Sequence, residues 1–303
     1  MADIKLFSIK DGVKELESKT VNLEKELQTI IENNMEQFFG VTFLETEYET
    51  TNGGRMDSIG IDENHCPVIF EYKRDVKESV INQGLFYLDW LLDHKDSFKV
   101  LVIDKLGIDA AKDIDWSAPR IICVAYDYTK YDESAINQMT RNISLIRYRK
   151  FNDDFLMFEK VNENITKIKT SPSVENEKTK VAGKNYPVKT LENHLEDCTN
   201  EVKTLFNEVS SYILALGDDV SETRLKRYIA YKRIKNFVCL VLLDSYITLF
   251  LKLDSSSFTY EKGFSRNVKD IGHWGTGDVE ITIKNKNDFE KAKPFFERAY
   301  NEN

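Results

Sequence analysis

The sequence predicts a mixed α/β domain, a central sheet flanked by helices, followed by a second domain of α+β type. Three observations carry this prediction. Residues 43–51 and 56–62 alternate apolar and polar side chains in strand fashion, 68–73 is rich in β-branched and aromatic residues, and stretches of helical period stand on either side at 22–39 and 77–94. A polar segment without aromatic residues, VNENITKIKTSPSVENEKTKVAGK from Val161 to Lys184, divides the chain. After it comes a separate set of helical and strand patterns. The expected boundaries are therefore 1–160 for the first domain, 161–184 for a flexible linker, and 185–303 for the second.

Each element follows from local pattern. Leu27, Ile30, Ile31, Met35 and Phe38 recur at helical spacing, and Gly40 is a suitable stop. Phe43–Thr51 and Met56–Asp62 alternate as strands, and Asp62-Glu-Asn-His-Cys-Pro67 is a turn cluster. Val68–Lys73 is rich in β-branched and aromatic residues and reads as a third strand. An amphipathic helix is expected over 77–94. Strands are expected at 98–104, 120–127, 144–149 and 154–160. In the second domain, 189–216 and 222–235 read as helices, Phe237–Leu243, Tyr246–Leu253 and Val279–Lys284 as strands, and 287–301 as a closing helix.

The bulk composition narrows the function. The chain has 303 residues, 41 % hydrophobic and 31 % charged, which fits packed domains rather than a disordered chain. No apolar run is long enough to span a bilayer, and the N-terminus lacks the apolar core of a secretory signal. Cys66, Cys123, Cys198 and Cys239 form no CxxC pair, so no zinc knuckle or redox motif is expected, and the cytoplasm is the default location. The net charge of −9 argues against a protein that coats nucleic acid by overall positive charge. Residues 185–303 carry 17 basic and 18 acidic side chains, against 25 and 33 in residues 1–184. Binding to nucleic acid would therefore use local basic patches and weaken with salt.

The chemistry is expected at one hairpin, Gly53-Gly-Arg-Met-Asp57 joined to Val68-Ile-Phe-Glu-Tyr-Lys73. Residues two apart on a strand share a face, so Glu71 and Lys73 point one way and Phe70 and Tyr72 the other. A turn centred between Asn64 and His65 puts Asp57 opposite residue 72, within one residue of Glu71. Two carboxylates suit Mg²⁺, a hard ion that keeps several waters, and lysine can counter charge on a phosphate. A Glu-x-Lys pair also suits a solvated strand face.

Asp57 followed by Glu71-x-Lys73 resembles the signature of the PD-(D/E)xK nuclease superfamily. The wider text GGRMDSIGID…PVIFEYKRD is similar to its NucS-type branch, in which Gly-Arg-aliphatic-Asp precedes the Glu-x-Lys strand. Arg55 takes the Arg position and Arg74 follows the motif lysine, and both are candidate nucleic-acid contacts. A helical glutamate of the family falls on Glu24, with Glu26 as the neighbouring alternative. Gln83 and Tyr87 match the Gln-xxx-Tyr motif of RecB-like members, one helical turn apart. The likeness spans residues 20–150. It implies a restriction-endonuclease-like core that binds Mg²⁺ or Mn²⁺ through Asp57 and Glu71. It also implies catalytic roles for Lys73, Gln83, Tyr87 and Glu24. Each has a plainer role too: Glu24 suits a helix dipole, Gln83 and Tyr87 a packed helix, Arg55 a surface ion pair.

The second domain resembles an uncharacterised domain that follows such nuclease-like domains. The likeness rests on Phe206, on Ile213-Leu-Ala-Leu-Gly217, on the Tyr228-Ile-Ala-Tyr-Lys232 run and on His273-Trp-Gly-Thr-Gly277. It supplies no reaction. Within it, Arg224, Lys226, Arg227, Lys232, Arg233 and Lys235 surround Tyr228 and Tyr231, so this stretch can meet phosphates and stack on unpaired bases, or form a solvated basic face. The glycine-rich loop from Ser255 to Gly277 is a candidate binding loop. The leading expectation is a metal-dependent endonuclease acting on DNA, single-stranded or branched forms included. Two others stand beside it: a nucleic-acid-binding module without cleavage, and an interaction protein, a homodimer among them.

Overall fold

The three strands expected between residues 43 and 73 form a meander. Val41–Glu49, Arg55–Asp62 and Pro67–Lys73 are antiparallel strands, and every residue of the third except its terminal lysine is buried. The computed structural model describes residues 4–21, 24–74, 80–165, 178–181, 184–187 and 189–303. The chain divides into two compact units, Met1–Thr166 and Lys167–Asn303.

In the first unit a short hairpin, β1 (Leu6–Ser8) and β2 (Lys14–Leu16), precedes β3 (Ser18–Lys19). Helices α1 (Glu24–Glu32) and α2 (Met35–Phe39) follow. They are two because Asn33 and Asn34 break the expected single helix, and Gly40 ends the second in the left-handed conformation at φ 64°. The meander strands are β4 (Val41–Glu49), β5 (Arg55–Asp62) and β6 (Pro67–Lys73). Then come α3 (Val80–Asp93), α4 (Lys95–Leu106), α5 (Ile108–Lys112), β7 (Arg120–Ala125), α6 (Lys130–Ile136), β8 (Asn142–Phe151) and β9 (Phe155–Asn164). The N-terminal part of the expected 77–94 helix, 77–79, lies outside the described residues.

Among the described residues these strands form one mixed sheet of seven strands, ordered β3-β8-β7-β6-β5-β4, with β9 also on β8. β6, β7 and β8 are parallel and the other pairings antiparallel. One face packs Ile59, Ile69, Ile121, Cys123 and Leu145 against Leu88 and Leu91 of α3 and Val102 of α4. On the other face Phe70 meets Phe39 of α2 at 5.3 Å between ring centroids. This is the mixed sheet with flanking helices that the sequence predicts.

One expected strand, 98–104, is instead part of helix α4. Phe98, Leu101 and Val102 are buried while Val100 is 65 % exposed, a spacing of three and four residues rather than two. The β-branched run Val100–Ile103 gave the strand signal, and packing of one helical face overrode it.

The first described element of the second unit is a hairpin of β10 (Lys178–Val181), which lies inside the expected linker, and β11 (Lys184–Pro187), which starts at the linker's last residue. The other end of that linker, through Asn164, belongs to β9. Residues 166–177 lie outside the described residues. Helices α7 (Leu191–Asp197) and α8 (Asn200–Leu214) replace the single helix expected at 189–216. Cys198 is extended between them, and Thr199 starts the second by accepting a hydrogen bond from the Val202 amide.

Among the described residues an antiparallel sheet of six strands follows. Its strands are β12 (Ser221–Arg224), β13 (Ile229–Lys232), β14 (Asn236–Leu242), β15 (Ile247–Leu251), β16 (Ser265–Asn267) and β17 (Val279–Ile283). Their order is β12-β13-β14-β15-β17-β16. Helix α9 (Lys286–Glu302) closes the unit, and with α8 it covers one face through Phe206, Val209, Ile213, Phe289 and Phe296. The helix expected at 222–235 is therefore the β12–β13 hairpin. Ile229 and Tyr231 alternate into the core, and Lys226 with Arg227 makes the turn, a pair that carries none of the usual turn residues.

All four cysteines are buried free thiols. Among the described residues no helix is long and apolar enough to cross a membrane.

Candidate functional site

Two turns aim the meander. At the β5–β6 turn the Asp62 amide donates to the Cys66 carbonyl, and the Asp62 carboxylate accepts from the amides of Asn64 and Cys66. Ile59 then faces Ile69 and Ser58 faces Phe70. Continuing that register puts Asp57 opposite Glu71 itself, one residue from the position that the sequence predicted. At the β4–β5 turn, Thr50 bonds the backbone of Gly54, and the Arg55 amide donates to the Tyr87 hydroxyl at 3.1 Å. Tyr87 thus comes from α3 to hold the entry of the strand that carries Asp57. A Cβ on Gly54 would lie 2.5 Å from the Tyr87 ring, so this position has room only for glycine. Gly54→Ala is expected to cost about 1–3 kcal/mol in a urea-unfolding measurement, because the buried ring has to shift.

The strands part at Asp57 and Glu71, and side chains replace the ladder bonds. The Tyr72 amide donates to Asp57 Oδ2 at 2.9 Å, and the Asp57 amide donates to Glu71 Oε1 at 3.4 Å. Glu71 is fully buried, and its other oxygen, Oε2, has no hydrogen-bond partner. Burial, and then the charge of Asp57, push the Glu71 carboxyl up to about 9. Asp57 is raised too, mainly by burial, although the Tyr72 amide and Lys73 oppose the shift. Lys73, on the same face of β6, lies 3.8 Å from Glu24 of α1. Glu24 also accepts from the Arg74 amide at 2.9 Å, which fixes the helix against the end of β6.

The donor chemistry fits a divalent cation. A buried carboxylate oxygen without a donor, beside a second carboxylate, is costly unless a proton or a cation satisfies it. Among the described residues no group of three or more Asp, Glu, His or Cys side chains surrounds one point. A bound ion would take two carboxylates here and fill its shell with water and substrate oxygen, as Mg²⁺ commonly does.

Other expected residues fall in different places. Arg55 pairs with Glu47 at 2.5 Å on the surface, and Glu26 pairs with Lys150 at 2.7 Å. The Arg74 side chain is exposed, and Gln83 is half-buried on α3. In the second unit Arg224 pairs with Glu222, and Arg233 pairs with Asp219. Lys226 is exposed at the hairpin turn, and Arg227 and Lys235 are half-buried. Tyr228, Tyr231 and Lys232 are buried, so the expected stacking tyrosines are core residues and present no face to a base. Alternation along β13 accounts for Tyr231, whereas Tyr228, just before the strand, packs against the loop at Gly275.

Sequence reasoning missed Gln28. It is buried on α1, and its amide donates to the Asp57 carbonyl at 2.7 Å and to Glu32 at 2.8 Å. Glu32 in turn accepts from Ser58, which accepts from Tyr72. A buried polar chain thus clamps the back of the hairpin. The only signal was a glutamine on the buried stripe of an amphipathic helix.

The family described as a domain of unknown function (DUF5655) matches residues 191–303. An uncharacterised protein of Haemophilus influenzae is 29 % identical over 289 residues, covering 93 % of this chain and 94 % of the relative. Two solved structures are similar. A repair endonuclease from Pyrococcus abyssi is 18 % identical, with a TM-score of 0.28, over 43 % of this chain and 49 % of that one. The structure of an EndoMS–dsDNA2 complex gives 21 % identity and a TM-score of 0.26, over 45 % of this chain and 50 % of that one.

Proposed function

We propose that the protein is a Mg²⁺- or Mn²⁺-dependent endonuclease that hydrolyses phosphodiester bonds of DNA. The observation that supports this best is the unpartnered, buried Glu71 Oε2 beside Asp57, with Lys73 on the same strand face. Asp57 and Glu71 are the residues to hold the ion, which when bound polarises a phosphate and acidifies a water. The Lys73 ammonium orients the attacking water and counters charge on the phosphate as it builds. Glu24 keeps that ammonium near the end of β6 through its 3.8 Å contact. Gln28 fixes the backbone of Asp57 from behind, and Tyr87 fixes the Arg55 amide two residues earlier, at the turn. The general base is left to solvent or substrate, since no histidine lies in this set.

The test is incubation with single-stranded, duplex and branched DNA in Mg²⁺ or Mn²⁺. The wild type is expected to cut at least one of these, and Asp57→Asn none. Failure to cut any, or equal cutting by Asp57→Asn, would sink the reading. The alternative is a DNA-binding or protein-interaction module on the same fold that no longer cleaves, favoured by the net charge of −9. Calorimetric titration with Mn²⁺ separates the two, because a module without cleavage has no need of an ion at Asp57 and Glu71.

A further inference from the structure

The face of the second sheet opposite α8 and α9 carries Ala230, Cys239 and Phe250, and the loop 271–277 lies against it. His273 stacks on Phe250, 4.2 Å between ring centroids and 5° from parallel. The Thr276 amide donates to the Cys239 thiol at 3.3 Å. Gly275 has φ 83°, and a Cβ there would lie 2.5 Å from that of Cys239. Gly277 has φ 127°, and a Cβ there would lie 2.6 Å from the Leu251 backbone. Both glycines are required where they stand, by close approach and by left-handed backbone. The loop is held on both sides of residue 274.

That held loop turns its one tryptophan outward. Trp274 is 39 % exposed, and the Arg227 guanidinium sits 5.2 Å from its ring centroid. Arg227 and the exposed Lys226 form the tight β12–β13 turn, closed by the Leu225 amide donating to the Tyr228 carbonyl. Tyr228 also packs against the Gly275 position, so turn and loop are direct neighbours. A flat aromatic face is thus fixed next to two cations. An indole already fixed in place loses little entropy on stacking, which favours its use as a platform.

We propose that Trp274, with Arg227 and Lys226, is a binding site for single-stranded DNA, in which an unpaired base stacks on the indole and the adjoining phosphate meets the two cations. Every base offers a π face, and the phosphate supplies the charge the turn attracts. An acidic peptide would meet the cations and leave the ring unused. The choice of DNA as ligand rests on the endonuclease reading, but the site is separate from Asp57 and Glu71.

The test uses the full chain in EDTA at low salt, so that binding is measured without cleavage. Fluorescein-labelled oligo-dT is titrated by anisotropy, and tryptophan emission is followed in parallel. The wild type is expected to bind, with emission quenched, and Trp274→Ala to bind about tenfold more weakly, the weight of one stacked base. Trp274→Phe is expected to recover most of the loss, and Arg227→Gln to weaken binding and flatten its salt dependence. Binding to oligo-dT in EDTA and its loss in Trp274→Ala are expected whether or not the protein cuts DNA in Mg²⁺ or Mn²⁺, which separates this site from the catalytic reading. Wild-type affinity in Trp274→Ala overturns the proposal, as does the absence of binding to oligo-dT. Equal affinity for a fully paired duplex or for poly-glutamate also overturns it, since neither offers an unpaired base.

Discussion

Lys73→Ala is expected to lower the rate of DNA hydrolysis by about 10²–10³-fold, while affinity for DNA in EDTA changes little. In the proposed mechanism the lysine acts where charge builds in the transition state, and loss of one such donor commonly costs that much. Lys73 is 14 % exposed in its side chain and adjoins the Asp57–Glu71 pair, so its charge acts in a partly desolvated setting. Its removal also strips Asp57 and Glu71 of a cation that holds their carboxyls down. The optimum for the residual activity should therefore move to higher pH. Single-turnover cleavage against pH, with anisotropy binding as the control, reads both effects. An unaltered rate in Lys73→Ala would remove the residue from the mechanism.

Glu71→Gln stabilises the metal-free protein at pH 8 and removes most of its loss of stability between pH 6 and pH 8. Glu71 is raised to about 9 in the fold from an ordinary 4.5. Below 4.5 the folded and unfolded states both carry the proton. Between 4.5 and about 9 the unfolded chain has released it and the fold still binds it, so stability falls as pH rises. Above about 9 both states are ionised and the slope ends. From pH 6 to pH 8 the loss is on the order of 2 kcal/mol, a drop of several degrees in Tm. Glutamine carries no such proton, so its Tm in EDTA should be nearly flat over this window. Added Mg²⁺ should flatten the wild-type profile too, because a bound cation takes the place of the proton. Parallel profiles for wild type and variant in EDTA would show that Glu71 does not carry the linkage.

The hairpin was legible because strand alternation fixes which residues share a face. Glu71 and Lys73 point together whatever the turn, and Asp57 was placed within one residue of Glu71 from the turn alone. The offset arose at the turn, where Asp62 caps two amides and shifts the pairing by one. Gln28 was not legible, because a polar residue on a buried helical stripe looks like a flaw in the pattern until its partners are seen. The α4 error was of another kind. Val100-Leu-Val-Ile103 has strand composition, and only the burial of Phe98, Leu101 and Val102 gives it a helical face. The β12–β13 hairpin was hidden because Lys226 and Arg227 carry no turn preference.

The Asp62 carboxylate does more than cap its turn. It also meets Arg120 of β7 at 3.3 Å, with both side chains buried. Losing one partner of such a pair commonly costs about 3–5 kcal/mol. The hairpin by itself could slip by one residue, and the slipped form would bring Tyr72 or Phe70 to the place of Glu71. Arg120 arrives only after the chain between residues 74 and 119 has been threaded and β7 has docked in parallel on β6. The correct alignment is thus secured by a partner from outside the hairpin. On refolding, the Asp62–Arg120 pair is expected to form after the β5–β6 hairpin.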